Sequence, residues 1–250
     1  MTSLPKRSKN AKKLGLVIDL DTCVGCHACV VSCKEWNTGG YPAPLSDTQP
    51  YGREPSGAFL NRVHSYEAAN ETAQRTVYFP KSCLHCENAQ CVTVCPTGAS
   101  YKRVEDGIVL VDEDLCIGCG LCAWACPYGA REMDPVVGVM KKCTLCIDRI
   151  YNENIPPAKR EPACVNACPA GARHFGDLGD PDSSVSKLAA QRSTQEPLGE
   201  LDYRPTNKYL APRKPKDITN AKPLEPVNQN MGDGFIGWVD AMLSKFNPSA

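Results

Sequence analysis

Sixteen cysteines stand in 250 residues, and their spacing carries the chemistry. Cys23, Cys26, Cys29 and Cys33 read C-x2-C-x2-C-x3-C. Cys116, Cys119, Cys122 and Cys126 repeat that spacing and are followed by Pro127. Cys83, Cys86, Cys91 and Cys95 read C-x2-C-x4-C-x3-C before Pro96, while Cys143 and Cys146 lie 17 residues ahead of Cys164, Cys168 and Pro169. Disulfides, zinc and iron–sulfur clusters all use grouped cysteines. Disulfides belong to oxidising compartments reached through an apolar leader; residues 1–20 are instead basic at Lys6, Arg7, Lys9, Lys12 and Lys13. Zinc takes ligands in pairs from C-x2-C knuckles, which leaves the third and fourth cysteine of each run unused. Soft thiolates at this spacing suit cubane clusters. Three cysteines on a tight loop face three irons of one cluster, and the fourth, beyond a turn ended by proline, reaches a second cluster. Sixteen thiolates fill four [4Fe–4S] sites with none left over. His27 and His85 lie inside the motifs, yet no iron position remains for them.

The segments around the motifs read as short strands and turns. Cys-Pro-x-Gly-Ala occurs at Cys95–Ala99, Cys126–Ala130 and Cys168–Ala172, an internal repeat. The lead-in at Val17–Cys23 is similar to that at Leu110–Cys116. Strand signals cover Gly15–Leu20, Val77–Phe79 and Ile108–Val111. Hairpins are predicted around Glu105-Asp106-Gly107 and around Pro135–Gly138. The fold class that follows is α+β, with a small ferredoxin-like module present twice. A basic extension occupies 1–13 and an insertion 36–76. From 181 to 250 the chain is polar and proline-punctuated, which predicts an extended tail wrapped along a partner. The tail ends in a short amphipathic helix, where Phe235, Val239, Met242 and Phe246 recur at helical spacing.

The balance of residues excludes other classes. Lys and Arg total 28, as do Asp and Glu, so no basic excess exists to meet nucleic-acid phosphates. No apolar run approaches the ~18 residues of a membrane span. No nucleophile–base constellation and no phosphate-cradling glycine loop is present, so no catalytic residue is predicted. Trp36 and Trp124 are read as covers over clusters. Lys141, Lys142 and Arg149 either offset cluster charge or lie on a solvated face.

The order of the four motifs, the gap inside the fourth and the repeated Cys-Pro-x-Gly-Ala resemble the four-cluster electron-transfer subunits of the dimethyl-sulfoxide-reductase family. Cys23-Val-Gly-Cys-His-Ala-Cys-Val-Val-Ser-Cys-Lys-Glu-Trp-Asn-Thr, Asn61-Arg62-Val63, Cys116-Ile-Gly-Cys-Gly-Leu-Cys-Ala-Trp-Ala-Cys-Pro-Tyr-Gly-Ala-Arg-Glu and Lys142-Cys-Thr-Leu-Cys are most similar to its sulfite-oxidising, quinone-linked branch. The resemblance implies two interleaved modules, residues 14–35 with 131–180 carrying motifs one and four, and 77–130 carrying motifs two and three. It also implies the ligand sets: Cys23, Cys26 and Cys29 with Cys168; Cys33 with Cys143, Cys146 and Cys164; Cys83, Cys86 and Cys91 with Cys126; Cys95 with Cys116, Cys119 and Cys122. Nitrate-reducing relatives carry tryptophan at one third-motif cysteine and hold a three-iron cluster there; here Cys119 and Cys122 are both cysteine. The implied partners are a molybdopterin-containing catalytic subunit and an integral membrane, quinone-binding anchor, with membrane contact mainly through that anchor. The implied location is the cytoplasmic, or else the periplasmic, face of the inner membrane. The residues alone leave open a free polyferredoxin and a reductase running the same wire in reverse.

Overall fold

A computed structural model describes residues 2–8, 11–39, 58–70, 73–192 and 194–212. In chain order the elements are β1 (Leu14–Asp19), α1 (Ala28–Asn37), β2 (Asn61–Asn70), β3 (Ala73–Ser82), α2 (Gln90–Thr93), β4 (Ser100–Lys102), β5 (Val109–Val111), α3 (Leu121–Trp124), β6 (Glu132–Met133) and β7 (Met140–Lys141). Then follow α4 (Ile147–Ile150), α5 (Ala163–Asn166), β8 (Arg173–Asp177), α6 (Ser184–Gln191), β9 (Thr194–Gln195) and β10 (Lys208–Leu210). Helices α2 to α5 are single turns, and α2, α3 and α5 each end two residues before a cysteine, at Cys95, Cys126 and Cys168.

The main sheet has the order β8-β1-β10-β9. Its centre is β1, whose Leu16, Val17 and Ile18 are all fully buried. A continuous apolar run of this kind marks a strand covered on both faces. β8 pairs with it antiparallel, Val17 opposite His174, and so joins the segment preceding motif one to the segment following motif four. The predicted hairpins are present as β4–β5 and β6–β7. A ten-residue ribbon, β2–β3, is longer than the short Val77–Phe79 signal suggested and extends back into the 36–76 insertion.

Residues 181–212 differ from the expected extended tail. Ser183 caps α6, its Oγ accepting from the Ser186 amide, and Val185 packs with Val17 and Leu210 while Leu188 and Ala189 lie against them. β10 then enters the sheet parallel to β1, with Ile18 opposite Tyr209. Tyr209 stacks on Phe79 with ring centroids 4.5 Å apart, and its hydroxyl donates to the Pro80 carbonyl at 2.9 Å. Apolar Tyr209 and Leu210 bury against the module, which outweighs the polar bias of their surroundings. The predicted terminal helix at 235–246 lies outside the described residues. At the other end, the basic extension is tied down: Thr2 donates to the Cys95 carbonyl at 2.8 Å, and Arg7 donates to that of Val104.

Candidate metal centres

All sixteen cysteines are free thiols, and the fold gathers them in four groups. One cavity is lined by Cys23, Cys26, Cys29 and Cys168, another by Cys95, Cys116, Cys119 and Cys122. These two hold about 340 and 330 Å³ of space free of protein atoms, their mouths included. Cys33 is surrounded by Cys143, Cys164 and Cys146, and Cys86 by Cys83, Cys91 and Cys126. Every group draws three cysteines from one motif and one from another, except that the Cys33 group takes its three from the two halves of motif four.

Local geometry explains the arrangement. In α1, Cys29 and Cys33 are four residues apart and share the buried face, so one helix serves two groups. After each Cys-Pro the glycine is left-handed, with φ of 76° at Gly98, 55° at Gly129 and 62° at Gly171. The turn it closes brings amides back to the sulfur: Ser100 N–H donates to Cys95 Sγ at 3.3 Å, and Ala172 N–H to Cys168 Sγ at 3.3 Å. Further amides approach Cys83, Cys116, Cys143 and Cys146 at 3.4–3.5 Å. Asn37 adds its side-chain amide to both Cys33 and Cys146. Hydrogen bonds of this kind favour the charged sulfur.

Burial works against them. It pushes the Cys143 thiol up to about 12 and Cys164 to about 11, each with the neighbouring thiolates adding to the rise. Cys95 goes the other way: burial opposes ionisation, yet the Ser100 amide, the Thr97 hydroxyl and further amides outweigh it. Sulfurs crowded in this way need a cation to discharge them, and metal binding does so by displacing their protons.

Among the described residues, no three His, Cys, Asp or Glu side chains converge on a point suited to one metal ion. A zinc site demands sulfur about 2.3 Å from its metal; groups that enclose space instead suit a multi-iron core. Two buried guanidiniums support the same fit. Arg131 and Arg173 have no carboxylate partner among the described residues, and Arg131 Nη1 is buried without a hydrogen-bond acceptor. A buried, unpaired charge is strongly unfavourable. An anionic cluster beside each guanidinium removes that penalty.

The residues therefore fit the group, and comparison with known proteins agrees. A 4Fe-4S dicluster domain family matches residues 22–99, and a second family of the same description matches 74–178. A sulfite dehydrogenase subunit of Allochromatium vinosum is 57% identical over 216 residues, covering 86% of this chain and 90% of that one. This protein belongs to the iron–sulfur subunits of the dimethyl-sulfoxide-reductase molybdoenzyme family. Other members are a polysulfide reductase chain of Wolinella succinogenes, 38% identical across 82% of this chain and 96% of its own, and a putative dimethyl sulfoxide reductase iron-sulfur subunit of Halobacterium salinarum, 37% identical across 78% of each. Two dicluster domains give this family member four [4Fe–4S] clusters, one iron for each of its sixteen cysteines.

Several charged neighbours of the cysteines, Lys142 apart, were not legible as such. Lys34, Lys102, Arg131, Lys142 and Arg173 are all buried. Lys102 donates to the Cys86 carbonyl at 2.8 Å, and Lys142 to that of Cys143. Of the three cations read as either cluster neighbours or surface groups, only Lys142 is buried. Lys141 pairs with Glu113 and Arg149 lies over the Trp36 ring, 4.7 Å from its centroid. The only sequence signal for Arg131 and Arg173 was their shared place directly after Cys-Pro-x-Gly-Ala. His27 lines the first cavity, its Nδ1 without a partner. His85 is fully buried; burial first, then Lys142, Lys102 and Arg131, keep it neutral.

Trp124 does not cover a cluster. It is 91% exposed, and Leu115, Ile117, Leu121, Val136 and Val137 are exposed around the same two loops. Those loops touch, since a Cβ on Gly118 would lie 2.4 Å from the Gly138 carbonyl oxygen. Cys119, in the same segment as Ile117 and Leu121, is itself exposed. Trp36, half-exposed, donates to Asp148 at 2.9 Å.

Proposed function

We propose that this chain relays single electrons through four [4Fe–4S] clusters, between a molybdopterin-containing catalytic subunit and a quinone-reactive membrane subunit, in the oxidation of sulfite. The observation that carries the reading is the gathering of sixteen cysteines into four groups of four, which we read as a line. In it, Cys23, Cys26, Cys29 and Cys168 hold the first cluster and Cys33, Cys143, Cys146 and Cys164 the second. Cys83, Cys86, Cys91 and Cys126 hold the third, and Cys95, Cys116, Cys119 and Cys122 the fourth. Support for the order comes from the charge repulsion felt between groups: Cys29 raises Cys164, Cys83 raises Cys143, and Cys91 raises Cys122. Clusters one and two then share the module of 14–35 with 131–180, and three and four share 77–130, the two modules interleaved in the chain.

A bound cluster supplies a one-electron couple. The protein's part is to hold each thiolate, surround it with amide donors and keep water from the middle of the line. Only Cys26 and Cys119 are exposed, one in each terminal group, so electrons enter and leave at the ends. The apolar loops around Cys119 are the kind of surface that a protein partner covers. Among the described residues no helix is long and apolar enough to cross a membrane, in keeping with an anchor supplied by another subunit.

Sulfite is the proposed donor because of the similarity to the Allochromatium vinosum subunit. The test is anaerobic: add sulfite to the native complex and follow the visible cluster absorbance. Bleaching is expected. Unchanged absorbance, together with reoxidation of dithionite-reduced clusters by polysulfide, tetrathionate or dimethyl sulfoxide, would move the chain to the reductase branch that its other relatives represent.

A further inference from the structure

Arg131 and Arg173 occupy matching positions. Each follows Cys-Pro-x-Gly-Ala directly, at Cys126–Ala130 and at Cys168–Ala172, and each is buried. Each is anchored on one side by a neutral acceptor. Arg173 Nη2 donates to Asn61 Oδ1 at 2.8 Å, and Arg131 Nη2 donates to Ser100 Oγ at 2.8 Å. Ser100 is itself the residue that follows the remaining Cys-Pro-x-Gly-Ala copy, which ends at Ala99.

The other side of each guanidinium faces sulfur from two groups. Arg173 Nη1 donates to Cys164 Sγ at 3.6 Å, while Arg173 also lines the cavity of Cys23, Cys26, Cys29 and Cys168. Arg131 is the cation acting most strongly on both Cys91 and Cys122, and its Nη1 has no other acceptor. We propose that Arg131 and Arg173 are bridging cations, each lying between the two cluster sites of one module and drawing the reduction potentials of that pair upward together. The proposal rests on the ligand sets given above.

The physics is electrostatic. Reduction adds one electron to a cluster, hence one negative charge, in a site where burial makes charge unfavourable. A fixed cation shared by two sites favours the reduced form of both, and low dielectric makes the effect large. Guanidinium suits the task because it stays charged and presents donors in several directions at once, whereas an ammonium is a single point. Burial alone would weaken the charge on Arg173, but Cys164 and Cys29 hold it in place. Raising both members of a pair together leaves the gap between them unchanged.

The test is a redox titration of the full chain followed by electron paramagnetic resonance, with iron and sulfide assayed first. Wild-type protein that lacks iron and sulfide would defeat the cluster reading itself, before any arginine is changed. With loading intact, Arg173→Gln is expected to disfavour reduction of clusters one and two at least tenfold, about 59 mV per tenfold for one electron, leaving three and four within twofold. Arg131→Gln is expected to do the reverse. Arg→Lys at either position keeps the charge and should recover at least half of the shift. A fully loaded Gln variant with no shift, with a shift in one cluster only, or with equal shifts in all four would overturn the proposal. Should a Gln variant fail to load, the Lys variant decides. Full loading with both potentials of the pair within tenfold of wild type supports the bridge, and a larger fall in either overturns it.

Discussion

The outer and inner cysteine groups are made from the same motifs yet sit in opposite surroundings. The Cys33, Cys143, Cys146 and Cys164 group is buried at every member, and the Cys83 group has no exposed sulfur. The groups containing Cys26 and Cys119 each present one sulfur to solvent, and the latter stands among exposed apolar side chains. Motif spacing thus determines what the cysteines can bind, while their depth determines what the bound group can do. Buried sites tie distant parts of the chain together. Exposed ones are open to exchange with a partner.

Mutation can break this contrast, starting at the inside. On the proposed ligand sets, Cys143→Ser removes a thiol that joins motif four to Cys33 of α1 and leaves buried sulfurs without their metal. The expected loss is on the order of the whole folding free energy, ~5–15 kcal/mol, seen as failure to recover monodisperse protein in size exclusion. Cys119→Ser at the exposed end should be far milder. The chain stays folded, iron falls by about a quarter as one four-iron cluster of four is lost, and the remaining spectrum is kept. If both serine variants fold equally well, depth is not what separates the groups.

The strand that closes the sheet sharpens the comparison further. Leu210 is fully buried beside Val17 and Val185, so Leu210→Ala is expected to destabilise by about 2–5 kcal/mol, read from thermal melts of the loaded chain. The smallest effect is at its neighbour. Tyr209→Phe keeps the stack on Phe79 and loses only the hydrogen bond to Pro80, worth about 1 kcal/mol. Neither change should alter the proposed fourth cluster, whose assigned cysteines all lie between residues 95 and 122; a shift in its resonance signal would show that the ends are coupled through the sheet.

What could be read in advance followed local chemistry. The Cys-Pro-x-Gly-Ala turns, both hairpins and the central strand each depend on a few adjacent residues, so their types reveal them. β10 is three residues between prolines and polar neighbours, and its place in the buried sheet comes from pairing with β1, nearly two hundred residues earlier. The long β2–β3 ribbon has no strict apolar alternation to mark it. The buried cations, Lys142 apart, were missed for a related reason. A lysine or arginine looks solvated in any sequence, and only the anionic interior that awaits Arg131, Lys142 and Arg173 makes burial favourable.

The insertion of β10 beside β1 sets a timetable for biosynthesis. At about 5–20 residues per second, the ribosome takes ~10–40 s to travel from Cys23 to Leu210. For most of that interval the first motif lacks Cys168 and the β8 strand, and for all of it the β10 strand, which together complete its surroundings. The stretch from Cys83 to Cys126 is finished well before then. Newly made chains therefore complete their middle first, and the amino-terminal thiols wait, open to oxidants, for a strand that is made long after them.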